Sequence, residues 1–260
     1  MGEERFCAVV PAAGQGSRLG ADIPKIMVEI AGGVTVWDLL HRRLSPWVEH
    51  IHVVLSPRGE GPFRRLAAGA IERGEVSVSV QEAPTGMGEA VFGAAAPYWA
   101  DHDAILVVWG DQANLSSRTV GEVVRAHREN TAGGGPGLTL PLVALPDPYV
   151  EYDYDAASST LLGVRMSREG EECRPGGLGD VGLFCLGVDG LARAWAGYLA
   201  GARPGTVTGE INFLPFLPYL SREHGRRTTV VPVADPAEAR GINTPADLEF
   251  TRRTYLRCTS

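Results

Sequence analysis

Short apolar, β-branched runs recur along this chain with helix-like stretches between them, and that alternation limits its fold more than any other feature. The runs are Phe6–Val10, His50–Leu55, Val76–Val80, Ala104–Trp109, Leu138–Leu145, Val181–Leu186 and Thr228–Val233. Each has the length and composition of a strand, and several are continuous enough to be buried on both faces. Val34–Leu44, Pro62–Arg73, Gly88–Trp99, Arg118–Glu129, Leu191–Ala200, Ile211–His224 and Ala246–Tyr255 are expected to be helices. Strands alternating with helices predict an α/β fold: a mixed, mostly parallel, Rossmann-like sheet flanked by helices. Ligands of such sheets bind beyond the carboxyl ends of the strands, so functional residues are sought in the loops there. The 260 residues suit one domain, with halves 1–135 and 136–260 meeting near the glycine run Thr131–Gly137. Pro146–Ser159 shows no helical period and reads as irregular chain.

The loop after the first run, Pro11–Lys25, reads PAAGQGSRLGADIPK. A glycine-rich turn after a strand offers bare backbone N–H groups to an anion, usually phosphate. Two familiar templates are excluded. The dinucleotide fingerprint needs glycine three residues after Gly16, where Leu19 stands, and the P-loop needs a lysine directly after Gly20. What remains is Gly14 and Gly16 for close backbone approach, Arg18 as a fork for phosphate oxygens, and Lys25 behind the rigid Pro24. Of 24 basic residues Lys25 is the sole lysine. A chain that otherwise uses arginine keeps this one compact, rotatable ammonium.

The ordered set A-A-G-x-G-S-R-L-G followed by P-K resembles the signature of the nucleotidyltransferases, which join a nucleoside triphosphate to a phosphorylated substrate. The resemblance implies a GT-A-like nucleotidyltransferase fold with a nucleotide-binding first half and an acceptor-binding second half. It places Ala12, Ala13, Gly14 and Gly16 against the nucleotide, and gives catalytic roles to Lys25 and Arg18. QEAPTGMGEAV (Gln81–Val91) is similar to the segment of the uridylyltransferase branch that makes UDP-N-acetylglucosamine, which assigns the base to Gln81, Gly86 and Gly88; Met87 departs from the usual threonine. Gly110-Asp111 matches the start of the family's G-D-x-P-L, and ARGINTPADLEF its G-x-N-x-x-x-x-L segment. Asp111 and Asn243 are thereby the expected ligands of Mg²⁺, a hard cation that takes oxygen donors. Thr244-Pro245-Ala246-Asp247 also reads as a helix N-cap, a proline at N1 and an acidic first turn, which would orient Asn243.

The second half departs more. Tyr152-Asp153-Tyr154-Asp155 stands where the family often has a glycine-arginine turn, Met166 near a usual glutamate, Asp180 for an asparagine, and Pro215 where an aspartate can occur. Asp180 and Glu210 are the expected acceptor contacts, and the acceptor is not expected to be N-acetylglucosamine 1-phosphate. His50 and His52 are expected to face solvent or a partner, and Asp153 and Asp155 are not expected to bind metal.

A formal net charge of −7 argues against nucleic acid or a polybasic membrane contact. The absence of a signal-peptide pattern and of any C-x-x-C among the four cysteines leads to an expectation of a reduced, cytoplasmic protein; oligomeric state is not legible. The expected activity is Mg²⁺-dependent transfer of a nucleotidyl group, UTP preferred, to a sugar phosphate or similar phosphorylated small molecule. Cytidylyl transfer, as in enzymes activating methylerythritol phosphate, is the alternative, then guanylyl transfer of the MobA-like, molybdopterin-modifying type. A non-catalytic nucleotide-binding module is the alternative of another class.

Overall fold

The computed structural model describes residues 4–14, 23–83, 85–207 and 209–259. In chain order the strands are β1 (Phe6–Pro11), β2 (Glu29–Ala31), β3 (Val34–Thr35), β4 (His50–Leu55), β5 (Val76–Val80), β6 (Ala104–Val108), β7 (Leu138–Ala144), β8 (Val150–Asp155), β9 (Thr160–Met166), β10 (Leu178–Asp180), β11 (Leu183–Gly187) and β12 (Thr228–Pro232). β2 and β3 form a small separate ribbon. The others make one sheet in the order β5-β4-β1-β6-β11-β7-β10-β8-β9, with β12 beside β7. β1, β4, β5 and β6 pair in parallel, as do β7 and β12. Within this sheet the antiparallel pairings all involve β8 to β11, and β9, β10 and β11 are the strands that run against the rest. The mixed, mostly parallel sheet expected from the alternation is therefore present.

β1 lies between β4 and β6, and its residues alternate between two cores. Ala8 and Val10 join the cluster on one face, Cys7 and Val9 the cluster on the other. That two-sided burial explains the continuous apolar run. Among the described residues no helix is long and apolar enough to cross a membrane, and Cys7, Cys173 and Cys185 are free thiols.

Four expectations need correction. Pro146–Ser159 is not irregular, because Val150–Asp155 is β8 and pairs with β9 in a hairpin. The Asp155 carboxylate accepts from the Ala157 N–H and the Ser158 hydroxyl and so tightens that turn. The helix placed at Pro62–Arg73 begins at Pro57, behind Ser56, with Pro62 inside it, and ends at Leu66 before a second short helix, Ala68–Glu72. Gly88–Trp99 is broken into three pieces around a π-helical turn at Ala90–Ala94. His52 does not face solvent: it is fully buried, flat against Tyr98, with its two ring nitrogens bonded to Ser77 and Ser79 of the neighbouring strand. Burial, helped by the His50 charge, pushes its pKa down to about 3.

Candidate active site

The carboxyl ends of β1, β4, β5 and β6 bring the first half's motifs to one edge. Beyond β1, the Ala12 N–H donates to the Val54 carbonyl at 2.8 Å, which anchors the start of the glycine loop. Among the described residues, a Cβ on Gly14 would meet nothing within 4 Å. Gly16 and Arg18 lie outside the described residues. Gly110, after β6, is held close to β1: its N–H donates to the Pro11 carbonyl, and a Cβ there would come within 2.8 Å of the Ala12 Cβ.

Pro24 and the single 3₁₀ turn Lys25–Met27 fix the lysine. The Met27 N–H donates to the Pro24 carbonyl, and Ile26 and Met27 are buried, so the backbone of Lys25 is anchored on one side while its side chain points out. Its Nζ donates to Asp111 Oδ2 at 2.8 Å and to Asn243 Oδ1 at 2.6 Å. The Lys25 and Asp111 side chains are each 19% exposed, so this pair is sheltered yet within reach of solvent. Three residues that the sequence assigned to two different tasks therefore touch one another.

Asn243 is positioned by the helix that follows it. Thr244 and Asp247 close a reciprocal cap: the Thr244 hydroxyl and N–H donate to Asp247 Oδ2 at 2.8 Å, and the Asp247 N–H returns to the hydroxyl. The Asn243 N–H also donates to Asp247 Oδ2, and Arg240 Nε donates to Oδ1. Burial alone would raise the Asp247 carboxyl, but these bonds outweigh it and hold its pKa below the ordinary range. The Ile242 N–H donates to the Asp111 carbonyl at 2.9 Å, and a Cβ on Gly241 would come within 3.0 Å of Asp111 Oδ1. Asn114, where the family pattern is lost, ties this segment down by donating to the Arg240 carbonyl and the Thr251 hydroxyl. No spacing in the sequence signalled that tie.

Around the base-assigned segment, the Gln81 side chain donates to the Gly86 carbonyl at 2.9 Å and to the Thr85 hydroxyl at 3.1 Å, closing the turn. Gly86 has φ +105°, a conformation that favours glycine. A Cβ on Gly88 would run into the Trp195 indole. The second half packs on this turn, since a Cβ on Gly86 would lie 3.3 Å from the Ile211 carbonyl and 3.5 Å from the Glu210 Cβ. Beside it opens a cleft of about 490 Å³ lined by Gln81, Glu89, Trp195 and Ile211 among others.

Asp180 is engaged within the protein. Oδ2 accepts from the Tyr152 hydroxyl at 2.9 Å and Oδ1 from the Gly182 N–H at 2.7 Å, while burial raises its pKa. The residues assigned to Mg²⁺ fit such an ion: one carboxylate oxygen and one carboxamide oxygen, both hard donors, already converge on a single cation, the Lys25 ammonium.

An α/β sheet thus brings the start of the glycine loop, the sole lysine and two convergent oxygen donors to one edge. Residues 8–135 match the model of the MobA-like NTP transferase domain. It is 27% identical over 253 residues to the bifunctional protein GlmU of Acidithiobacillus ferrooxidans, covering 96% of this chain and 51% of that protein. To GlmU of Pseudomonas entomophila it is 28% identical over 251 residues, 95% and 51% of the two chains. The chain thus spans about half the length of the curated relatives it matches, 51% in both cases. A solved structure from Bacillus anthracis, described as a glucose-1-phosphate thymidylyltransferase in complex with sucrose, has the same fold. It superposes with a TM-score of 0.69 at 15% identity, over 96% of this chain and 94% of that one.

Proposed function

We propose that this chain is an Mg²⁺-dependent nucleotidyltransferase that transfers the nucleotidyl group of a nucleoside triphosphate, with UTP preferred, to a sugar phosphate or similar phosphorylated small molecule. Pyrophosphate is the other product. The observation that carries the reading is the meeting of Lys25 with Asp111 and Asn243 at the carboxyl edge of the sheet. The likeness of Gln81–Val91 to the uridylyl branch supports UTP, and the sugar phosphate in the description of the Bacillus anthracis structure supports the acceptor class.

An oxygen of the acceptor's phosphate forms a bond to the α-phosphorus, and the bond from that phosphorus to the bridging oxygen breaks, so pyrophosphate leaves with the electron pair. A phosphate monoester has a second pKa of about 6, so the nucleophile is anionic at neutral pH and needs no general base. The barrier is repulsion between two polyanions, which alignment and fixed positive charge lower. The Lys25 ammonium neutralises the α-phosphate and the incoming phosphate, and Arg18 the departing pyrophosphate. The backbone of Ala12, Ala13 and Gly14 faces the phosphates, and the Gln81–Gly86 turn holds the base. Asp111 and Asn243 would hold Mg²⁺, which when bound would supply charge neutralisation to the phosphate oxygens. Asp180 shapes the acceptor side through Tyr152 and the Gly182 turn, and Glu210 lies where the two halves meet.

Incubation with each of the common triphosphates against a panel of sugar phosphates and other phosphomonoesters, with pyrophosphate release as the readout, tests this. Release with UTP and one sugar phosphate is the expected result. Release with CTP or GTP instead assigns a different base, and tight triphosphate binding without release for any acceptor contradicts catalysis.

A further inference from the structure

We propose that Lys25 and the divalent cation exchange at one place: in the free protein the lysine ammonium occupies the position between Asp111 and Asn243, and cation binding releases it toward the phosphates. The inference rests on the function proposed above and concerns how that site is held before substrate arrives.

Three observations carry it. First, the atoms are the same. The ammonium takes Asp111 Oδ2 at 2.8 Å and Asn243 Oδ1 at 2.6 Å, the side-chain oxygens of the two residues suited to hold Mg²⁺. Two cations on the same oxygens would stand close together, and like charges at that separation repel strongly in a sheltered site. Second, the backbones that carry the two donors are held without the lysine. Asp111 is fixed through its carbonyl by Ile242, and Asn243 through its N–H by Asp247. Third, only the backbone of Lys25 is locked, by the turn after Pro24. Its four-carbon stem leaves the ammonium free to swing, and a compact point charge serves that movement better than a planar fork. This gives a physical reason for one lysine among 24 basic residues, placed here.

The consequence is an order of events. While the lysine is clasped, the free protein holds a divalent cation weakly and the ammonium is not available to a phosphate. A triphosphate that carries its own cation supplies both partners of the exchange: the metal replaces the ammonium on Asp111 and Asn243, and the α-phosphate receives the ammonium.

Binding of Mn²⁺ alone, followed by the loss of the free-ion electron paramagnetic resonance signal, tests this on the full chain without nucleotide. Lys25→Met keeps the stem and removes the charge. It is expected to bind Mn²⁺ at least about tenfold more tightly than the wild type, because hydrogen bonds to charged groups no longer have to be given up. Lys25→Met with Asp111→Asn is expected to lose that gain. Unaltered or weaker binding by Lys25→Met overturns the exchange. If Lys25→Met loses Mn²⁺ only when Asp111→Asn is added but binds no tighter than the wild type, the exchange falls while the cation site of the proposed function stands. Equal tight binding with and without Asp111→Asn places the ion elsewhere and overturns both. A second measurement needs no variant: with one lysine in the chain, protein labelled with ¹³C,¹⁵N-lysine gives a single Cε–Nζ correlation. Addition of Mg²⁺ with inorganic tripolyphosphate is expected to move it, and a correlation that stays in place overturns the proposal.

Discussion

The Lys25 ammonium stands 2.6 Å from the Asn243 carboxamide oxygen although 218 residues separate them in the chain. That contact joins the loop after the first strand to the segment before the last helix, and Asp111 completes it from the loop after β6.

Lys25→Arg keeps the charge but replaces a point donor with a planar fork. Stability is expected to change little. Loss of one preorganised electrostatic contact typically costs about 10²–10³ in rate, roughly 2.7–4 kcal/mol. Turnover is expected to fall by at least that order while triphosphate binding weakens much less, as steady-state kinetics and equilibrium binding would separate. Near-normal turnover contradicts the role given to Lys25. Arg18→Lys is expected to be milder, because backbone donors share the pyrophosphate.

Asp247 gives a pH signature. Its folded carboxyl titrates below the ordinary range, so it contributes stability that is fully present above about pH 4 and is lost as pH falls through the depressed folded value. Asp247→Asn is expected to lower stability by about 1 kcal/mol at neutral pH. The difference in melting temperature between the two proteins should then shrink below about pH 4. A gap that does not narrow as pH falls below about 4 contradicts the assignment. Because Asp247 also holds Asn243, cation affinity should fall with it.

Gly86 and Gly88 are separated by what surrounds them. Gly88→Ala drives a methyl into Trp195, itself stacked on Phe92 at 4.6 Å, and overpacking of this kind costs about 1–3 kcal/mol. Chemical denaturation would report it. Gly86→Ala strains a φ of +105° in the turn that Gln81 closes. It is expected to raise KM for the triphosphate several-fold with a smaller effect on kcat, and equal loss in both would contradict a role confined to the nucleotide.

Asn114→Ala removes the donor to the Arg240 carbonyl and to Thr251. An unpaired group left in a part-buried place costs about 1–3 kcal/mol. Turnover is expected to fall along with stability, and restoration of turnover by raised Mg²⁺ would show that the cation side was loosened.

Parts of the first half were legible where their constraints are local. The β1 run, buried on both faces, and the glycine loop after it appear as uninterrupted text, and the sole lysine marks itself. Asp111 and Asn243 were found by position in a pattern, and Thr244 and Asp247 by the chemistry of a helix start. What the sequence hid depends on pairing across strands. β8 reads VEYDYD: Asp153 and Asp155 are half-buried, and Glu151 is buried only because Arg165 and Arg174 pair with it across the hairpin and the loop beyond. His52 looks like a solvent-facing residue until the register sets it opposite Ser77, whose hydroxyl satisfies it inside the core. Asn114 reads as the loss of a motif, and its structural use appears only when the chain returns 126 residues later.

Pyrophosphate release by Asp111→Asn, compared with the wild type on the best triphosphate and acceptor pair, tests the central claim most directly. The substitution is nearly isosteric and removes the charge on which Lys25 and the cation converge. Turnover should fall by about 10²-fold or more with triphosphate binding largely kept; turnover within a few-fold of the wild type would contradict the assignment of this cluster as the transfer centre.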